Sequence, residues 1–183
     1  MTQEPQSKVI DDVKQPDENT CQSAAIARVL GTQDVWGVRA ELTRGGAVAG
    51  DPWNMGRYMA AHVRDYRFLP NASLNDATKA LDEGYQLITH GYFTTAGHVI
   101  GLSGYEPDPR TLSHRFIAED PWYEFEFQKW RYSRHDGNDV RYSSYGIYAA
   151  CVASHGLSHA HQIYKRGELN NSMRNMWLHI IKN

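Results

Sequence analysis

"QPDENTCQSAAIARVLG", residues Gln15–Gly31, sets a cysteine where a polar turn gives way to a helix-forming run. Asn19 or Thr20 is placed to cap a helix predicted over Cys21–Leu30, and Gly31 ends it. Two readings of Cys21 compete. It is a small residue packed into a core, or it is a nucleophile at a helix end. A thiol attacks only as thiolate, and a helix N-terminus favours that anion through unpaired N–H groups and positive potential. Acyl transfer through a cysteine also needs a base for the thiol proton, a group to orient that base, and donors for the oxyanion. Gln15, six positions upstream, and the backbone N–H of Cys21 are the candidate donors.

The chain after this run divides into a helical part and a β-rich part. "DVWGVRAEL" (Asp34–Leu42) is expected to form a second short helix. Pro52 suits the first turn of a third, with Met55, Tyr58, Met59 and Val63 along one side. "SLNDATKALDEG" (Ser73–Gly84) has a cap, helix formers and a terminal glycine. "YQLITHGYF", "GHVIGLSGY", "HRFIAED" and "NMWLHIIK" are short, β-rich and bounded by turn residues. This order predicts one α+β domain over 1–183, with residues 1–8 a loose tail.

The β-rich part supplies the missing chemistry in chain order. His98 opens an apolar strand after Gly97, and alternation puts His98, Ile100 and Leu102 on one face. Asp120 ends the next strand, directly before Pro121. Each residue has a plain alternative: a satisfied core histidine, and a turn aspartate. Gln, Cys, His and Asp each at an element end carry more weight together than singly.

Those stretches, "Q…DENTCQSAAIARVLG", "GYFTTAGHVIGLSGY" and "FIAEDPW", with a weaker "WLHII", resemble the bacteriocin-processing, papain-like cysteine peptidases. That family comprises leader-peptidase domains of certain ABC exporters and free-standing relatives in bacteria and phages. The similarity runs from Val13 to Ile181. It implies a papain-like fold, with N-terminal helices packed on an antiparallel β-sheet. It also implies Cys21 as nucleophile, His98 as general base, Asp120 as orienting carboxylate and Gln15 as oxyanion donor, without a cofactor. Gln22 stands where many members have glycine, and Trp122 and Tyr123 follow "DP" where a glycine is common. The first departure is shared by the phage-type branch, whose members are often endolysins that cut peptidoglycan peptides. No transporter segment and no P-loop occur, so a free-standing enzyme is expected, with a peptide or peptidoglycan substrate.

Other classes fit less well. A formal net charge of −2 supplies no electrostatic reason for nucleic-acid binding. No apolar stretch approaches the roughly 20 residues needed to span a bilayer. The polar N-terminus is no signal peptide, so synthesis in a cytoplasm is expected, with the wall reached through a holin or lysis. Cys151, His155, His159 and His161 invite a zinc-amidase reading, but the Gly- and Ser-rich segment is expected to be an exposed loop. Trp53, Tyr92, Phe93 and Trp122 are candidates for a peptide or glycan groove, each with core packing as its alternative. The alternative function is a catalytically silent module that grips peptide or wall strands with these aromatics.

Overall fold

The computed structural model describes residues 9, 10 and 12–183; the tail expected over 1–8 lies outside the described residues. Four helices come first: α1 (Cys21–Leu30), α2 (Val35–Leu42), α3 (Pro52–Ala60) and, after strand β1 (Asp65–Ala72), α4 (Leu74–Asp82). Strands β2 (Gln86–Gly91), β3 (His98–Pro107) and β4 (His114–Glu119) follow. Next come the small strands β5 (Phe125–Glu126) and β6 (Arg131–Tyr132), then β7 (Val140–Ser143). Helix α5 (Ser144–Ile147) runs into a π-helical stretch, Tyr148–Ala153, before α6 (Leu157–Lys165) and the closing strand β8 (Met176–Lys182).

The helix signals act locally. Gly31, at φ 71°, takes the left-handed conformation that stops α1. Asp34 and Asp51 accept N–H bonds at the starts of α2 and α3. Ser73 and Asp76 form a reciprocal capping box at α4. Among the described residues no side chain caps α1. Thr20 instead bonds the Asp17 backbone, which leaves the first-turn N–H groups of α1 to other partners.

Six strands form one antiparallel sheet in the order β1-β8-β2-β3-β4-β7, and β5 pairs with β6 separately. Helices cover both faces. Ala24, Ala25, Ile26, Val38, Met55 and their neighbours from α1–α3 pack on Ile88, Val99 and Ile181. Residues of α4, α5, the π-helical stretch and α6 pack with Ile100, Leu102, Phe116, Leu178 and Ile180 on the other face. Burial on both faces explains why the first five residues of β3 are buried without alternation. His98, Ile100 and Leu102 still share a face, as their spacing requires, and Val99 points at α1.

One ionic contact fixes α1 along the sheet. Arg28 Nη2 lies 3.1 Å from Glu119 Oε1, with both side chains buried. Arg28 Nη1 also bonds Gln86 Oε1 at 2.9 Å. Glu119 accepts from the Ser103 hydroxyl at 2.7 Å and from the Asp139 N–H at 3.1 Å. The cluster therefore joins α1, β2, β3, β4 and the approach to β7. Removing the carboxylate charge takes an anionic partner from a buried guanidinium and weakens the contact that joins these elements. Glu119→Gln is expected to lower stability by about 3 kcal/mol in urea unfolding, with the denaturant slope unchanged.

Candidate active site

Cys21 is the first residue of α1 and His98 the first of β3; Asp120 directly follows β4. His98 and Asp120 lie on the same face of the sheet as Phe116 and Ala118. Cys21 reaches His98 from the α1 side, at the end of the strands. Its thiol is partly exposed, and it lies within hydrogen-bonding reach of the His98 ring and of the N–H groups of Val99 and Gln22. His98 Nε2 is 2.8 Å from Asp120 Oδ1, which leaves Nδ1 for the sulfur. His98 is 4% exposed and Asp120 2% exposed.

Electrostatics couple the three. Burial alone would raise the Cys21 thiol above its ordinary range. The adjacent imidazole and the two backbone N–H groups overcome that and lower it. Burial alone would likewise lower His98. Asp120, by charge and hydrogen bond, and then Cys21 overcome it and hold the ring well above its ordinary value. Both shifts favour a thiolate beside an imidazolium over the neutral pair. A neutral thiol here would donate to Gln22 Oε1 at 3.2 Å, whereas a thiolate would be repelled by that oxygen. The net lowering of Cys21 favours the ion pair.

Gln15 is placed beside the site, though its amide is engaged elsewhere. Its backbone N–H bonds Pro121 O at 2.9 Å, which ties the N-terminal segment to the Asp120 loop. Its Nε2 donates to Asp17 O at 2.7 Å, against the turn that leads into α1. The Asp17 carbonyl also takes the Thr20 hydroxyl. Gln15 Oε1 is buried without a partner among the described residues.

The four aromatic candidates separate. Trp122 is half-buried, and its N–H donates to Asp120 Oδ1 at 3.0 Å. Tyr92 is half-buried, with its ring edge-on to His90. Phe93 is 2% exposed and packs among Phe125, Phe127 and Tyr142, with its ring 6.0 Å from that of His98. It is core beneath the histidine and has no face to offer a ligand. Trp53 is 59% exposed, but it sits on α3 against Phe68 of β1, at the opposite edge of the sheet from β4. The structure does not bring it to the site.

The segment expected as an exposed loop is a correction. Cys151 is buried in the π-helical stretch, where the hydrocarbon around its thiol pushes it far above the ordinary range. His159 and His161 lie on α6, and the rings of His155 and His159 stack at 5.3 Å. Among the described residues no three His, Cys, Asp or Glu converge as metal ligands.

Several neighbours carried no clear mark in the sequence. Tyr132 and Tyr142 both donate to Asp120 Oδ2. His90 stacks on Trp177, and burial lowers it to about 4. Gly97, at φ +82°, lies against it; a Cβ there would collide with His90 Nε2, so only glycine leads into His98. Gly137 plays a similar part behind Asp120: a Cβ would come 2.5 Å from the Asp120 carbonyl oxygen, which leaves no room for a side chain.

The contrast between the two cysteines is directly measurable. Iodoacetamide is expected to alkylate Cys21 rapidly at roughly pH 6 to 7 and to leave Cys151 untouched until the fold is opened. Peptide mass mapping against time reads both sites. Equal, slow labelling would contradict the ion pair.

Comparison with curated protein sequences finds no match. The chain is similar to a solved structure described as the "Crystal structure of a double glycine motif protease from AMS/PCAT transporter in complex with the leader peptide". The TM-score is 0.50 at 16% identity, over 97% of this chain and 94% of that one, a likeness that speaks for the fold. The family model described as "Peptidase_C39 like family" matches residues 7–150, which takes in Gln15, Cys21, His98 and Asp120. The chain therefore belongs to the Peptidase_C39 like family and has a papain-like cysteine-peptidase fold, its α-helices packed on an antiparallel sheet.

Proposed function

We propose that the protein hydrolyses an amide bond in an extended peptide, with Cys21 as nucleophile, His98 as acid and base, and Asp120 as the group that orients His98. The observation that carries this reading is the chain of contacts from a partly exposed thiol through one buried imidazole to one buried carboxylate. The Cys21 sulfur adds to the carbonyl carbon, and the carbonyl oxygen gains the negative charge. His98 then gives its proton to the leaving nitrogen, the C–N bond breaks, and a thioester remains. Water, deprotonated by His98, then adds to the thioester carbonyl; the C–S bond breaks, the acid product leaves, and Cys21 returns as thiolate beside protonated His98.

The uncapped first turn of α1 supplies oxyanion donors close to the sulfur. Gln15 Nε2 is the side-chain candidate, once it exchanges the Asp17 carbonyl for the oxyanion. Trp122, half-buried next to Asp120, and Tyr92, half-buried against His90, are the proposed substrate walls. A peptide is the substrate class in keeping with the solved neighbour, which holds a leader peptide. Peptidoglycan peptides, and with them an endolysin role, are the narrower version of the same proposal, drawn from the sequence resemblance.

Mass analysis of fragments released from purified peptidoglycan and from a protein-peptide library tests both versions. Cys21→Ala is expected to abolish release in whichever is cut while keeping the fold; undiminished turnover would contradict the mechanism. Gln15→Ala is expected to slow the rate on the order of 10²- to 10³-fold.

The pH profile has a definite sign. The lowered thiol keeps its anion below the ordinary cysteine range, so the acid limb lies below about 8.5. The raised imidazole keeps its proton past the ordinary histidine value, so the alkaline limb lies above about 6.5. Turnover against pH is expected to form a plateau across neutrality, bounded by values that belong to the pair.

A further inference from the structure

Four donors converge on the buried Asp120 carboxylate, and they divide between its oxygens. Oδ1 takes His98 Nε2 at 2.8 Å and the Trp122 N–H at 3.0 Å. Oδ2 takes the Tyr142 hydroxyl at 3.0 Å and the Tyr132 hydroxyl at 3.3 Å. The Tyr142 oxygen also accepts the Phe125 N–H at 2.7 Å, and its own hydroxyl is nearer the Asp120 carboxylate, at 3.0 Å, than the Tyr123 carbonyl, at 3.5 Å. The Tyr132 ring stands edge-on to His98, with centroids 5.5 Å apart. The phenols arrive on β6 and β7, elements whose placement beside Asp120 no part of the mechanism above has used.

We propose that Tyr132 and Tyr142 are positioning residues that temper the hold of Asp120 on the His98 proton, so that the imidazolium can release it to the leaving nitrogen. The inference rests on the cysteine-peptidase reading. Each phenol presents the positive end of its O–H dipole to Oδ2. His98 lies beyond, on Oδ1, so both dipoles oppose a positive charge on the ring. They also draw carboxylate charge away from the His98 bond. The groups facing His98 are Cys21 from α1, His90 from β2 and Asp120 after β4, with Tyr132 and Tyr142 behind the carboxylate and Glu124 acting on Tyr142. Burial opposes the proton most, Cys21 and Asp120 favour it, and His90 repels it; the phenols act on top of these, through Asp120.

Simple packing predicts the opposite sign. A loosened Asp120 would bond His98 less well, and the ring would lose its proton at lower pH. The two cases separate in a histidine NMR titration of wild type, Tyr132→Phe and Tyr142→Phe, with Cys21 alkylation by iodoacetamide followed in parallel. In wild type, a His98 midpoint well above about 6.5 with fast alkylation upholds the site. A midpoint at the ordinary value with slow alkylation removes the site reading itself. With the wild type so established, each Tyr→Phe change is expected to raise the His98 midpoint by about half a pH unit, roughly a threefold gain in proton affinity. An unchanged or lowered midpoint would overturn the proposal and leave the site reading intact. Tyr142→Phe also strips the Phe125 N–H of its acceptor. Should that variant lose its folded spectrum, Tyr132→Phe decides alone, since its hydroxyl bonds only Asp120 among the described residues.

Discussion

The buried ion pair between Arg28 and Glu119 sets the register of α1 against the sheet, and the site depends on that register. Arg28 follows Cys21 by seven positions, two turns and about 10 Å along the same helix stripe. Ala24 and Ala25 lie between them, small enough to let the helix rest close to the strands. Glu119 is the residue before Asp120. On an extended chain the two side chains take opposite faces, so one grips Arg28 while the other turns to His98. Locking Arg28 to Glu119 thereby places the sulfur of Cys21 over the start of β3. Apolar residues of similar volume stabilise a core as well as a buried pair does, so its value here lies in position.

The polar groups around the site are nearly all satisfied inside the protein. Asp120 has four donors, Glu119 has three partners, and the Asp17 carbonyl has two. Such networks act as a unit in a low-dielectric interior, where each bond depends on its neighbours. The thiol is partly exposed where it joins these contacts.

Much of this was legible before the fold was known, because its signals are local. The α1 boundaries follow from the polar turn and Gly31, α4 from Ser73 and Asp76, and β2–β4 from short apolar runs between turns. Cys21, His98 and Asp120 stood out because each lies at an element end. Strand β1 was hidden by Pro70 within "DYRFLPNA", which it tolerates as an edge strand with its register broken between Leu69 and Ala72. The stretch around Cys151 has the Gly and Ser content of a loop but folds as helix. Gly156 takes the N-cap of α6, and Leu157, Ala160 and Ile163 recur at helical spacing behind it. Trp53, Phe93, Tyr132 and Tyr142 show the limit of such reading. Whether an aromatic lines a groove, fills a core or orients a carboxylate is decided by contacts between distant elements.

The central claim is an ionised sulfur beside a protonated ring. Ultraviolet difference absorbance of the thiolate, titrated in wild type, Cys21→Ser and His98→Ala, tests it without a substrate. The account predicts thiolate absorbance at neutral pH that vanishes with Cys21 and, in His98→Ala, appears only in the ordinary cysteine range, near 8.5 or above. A wild-type protein that shows no thiolate until that range would contradict it.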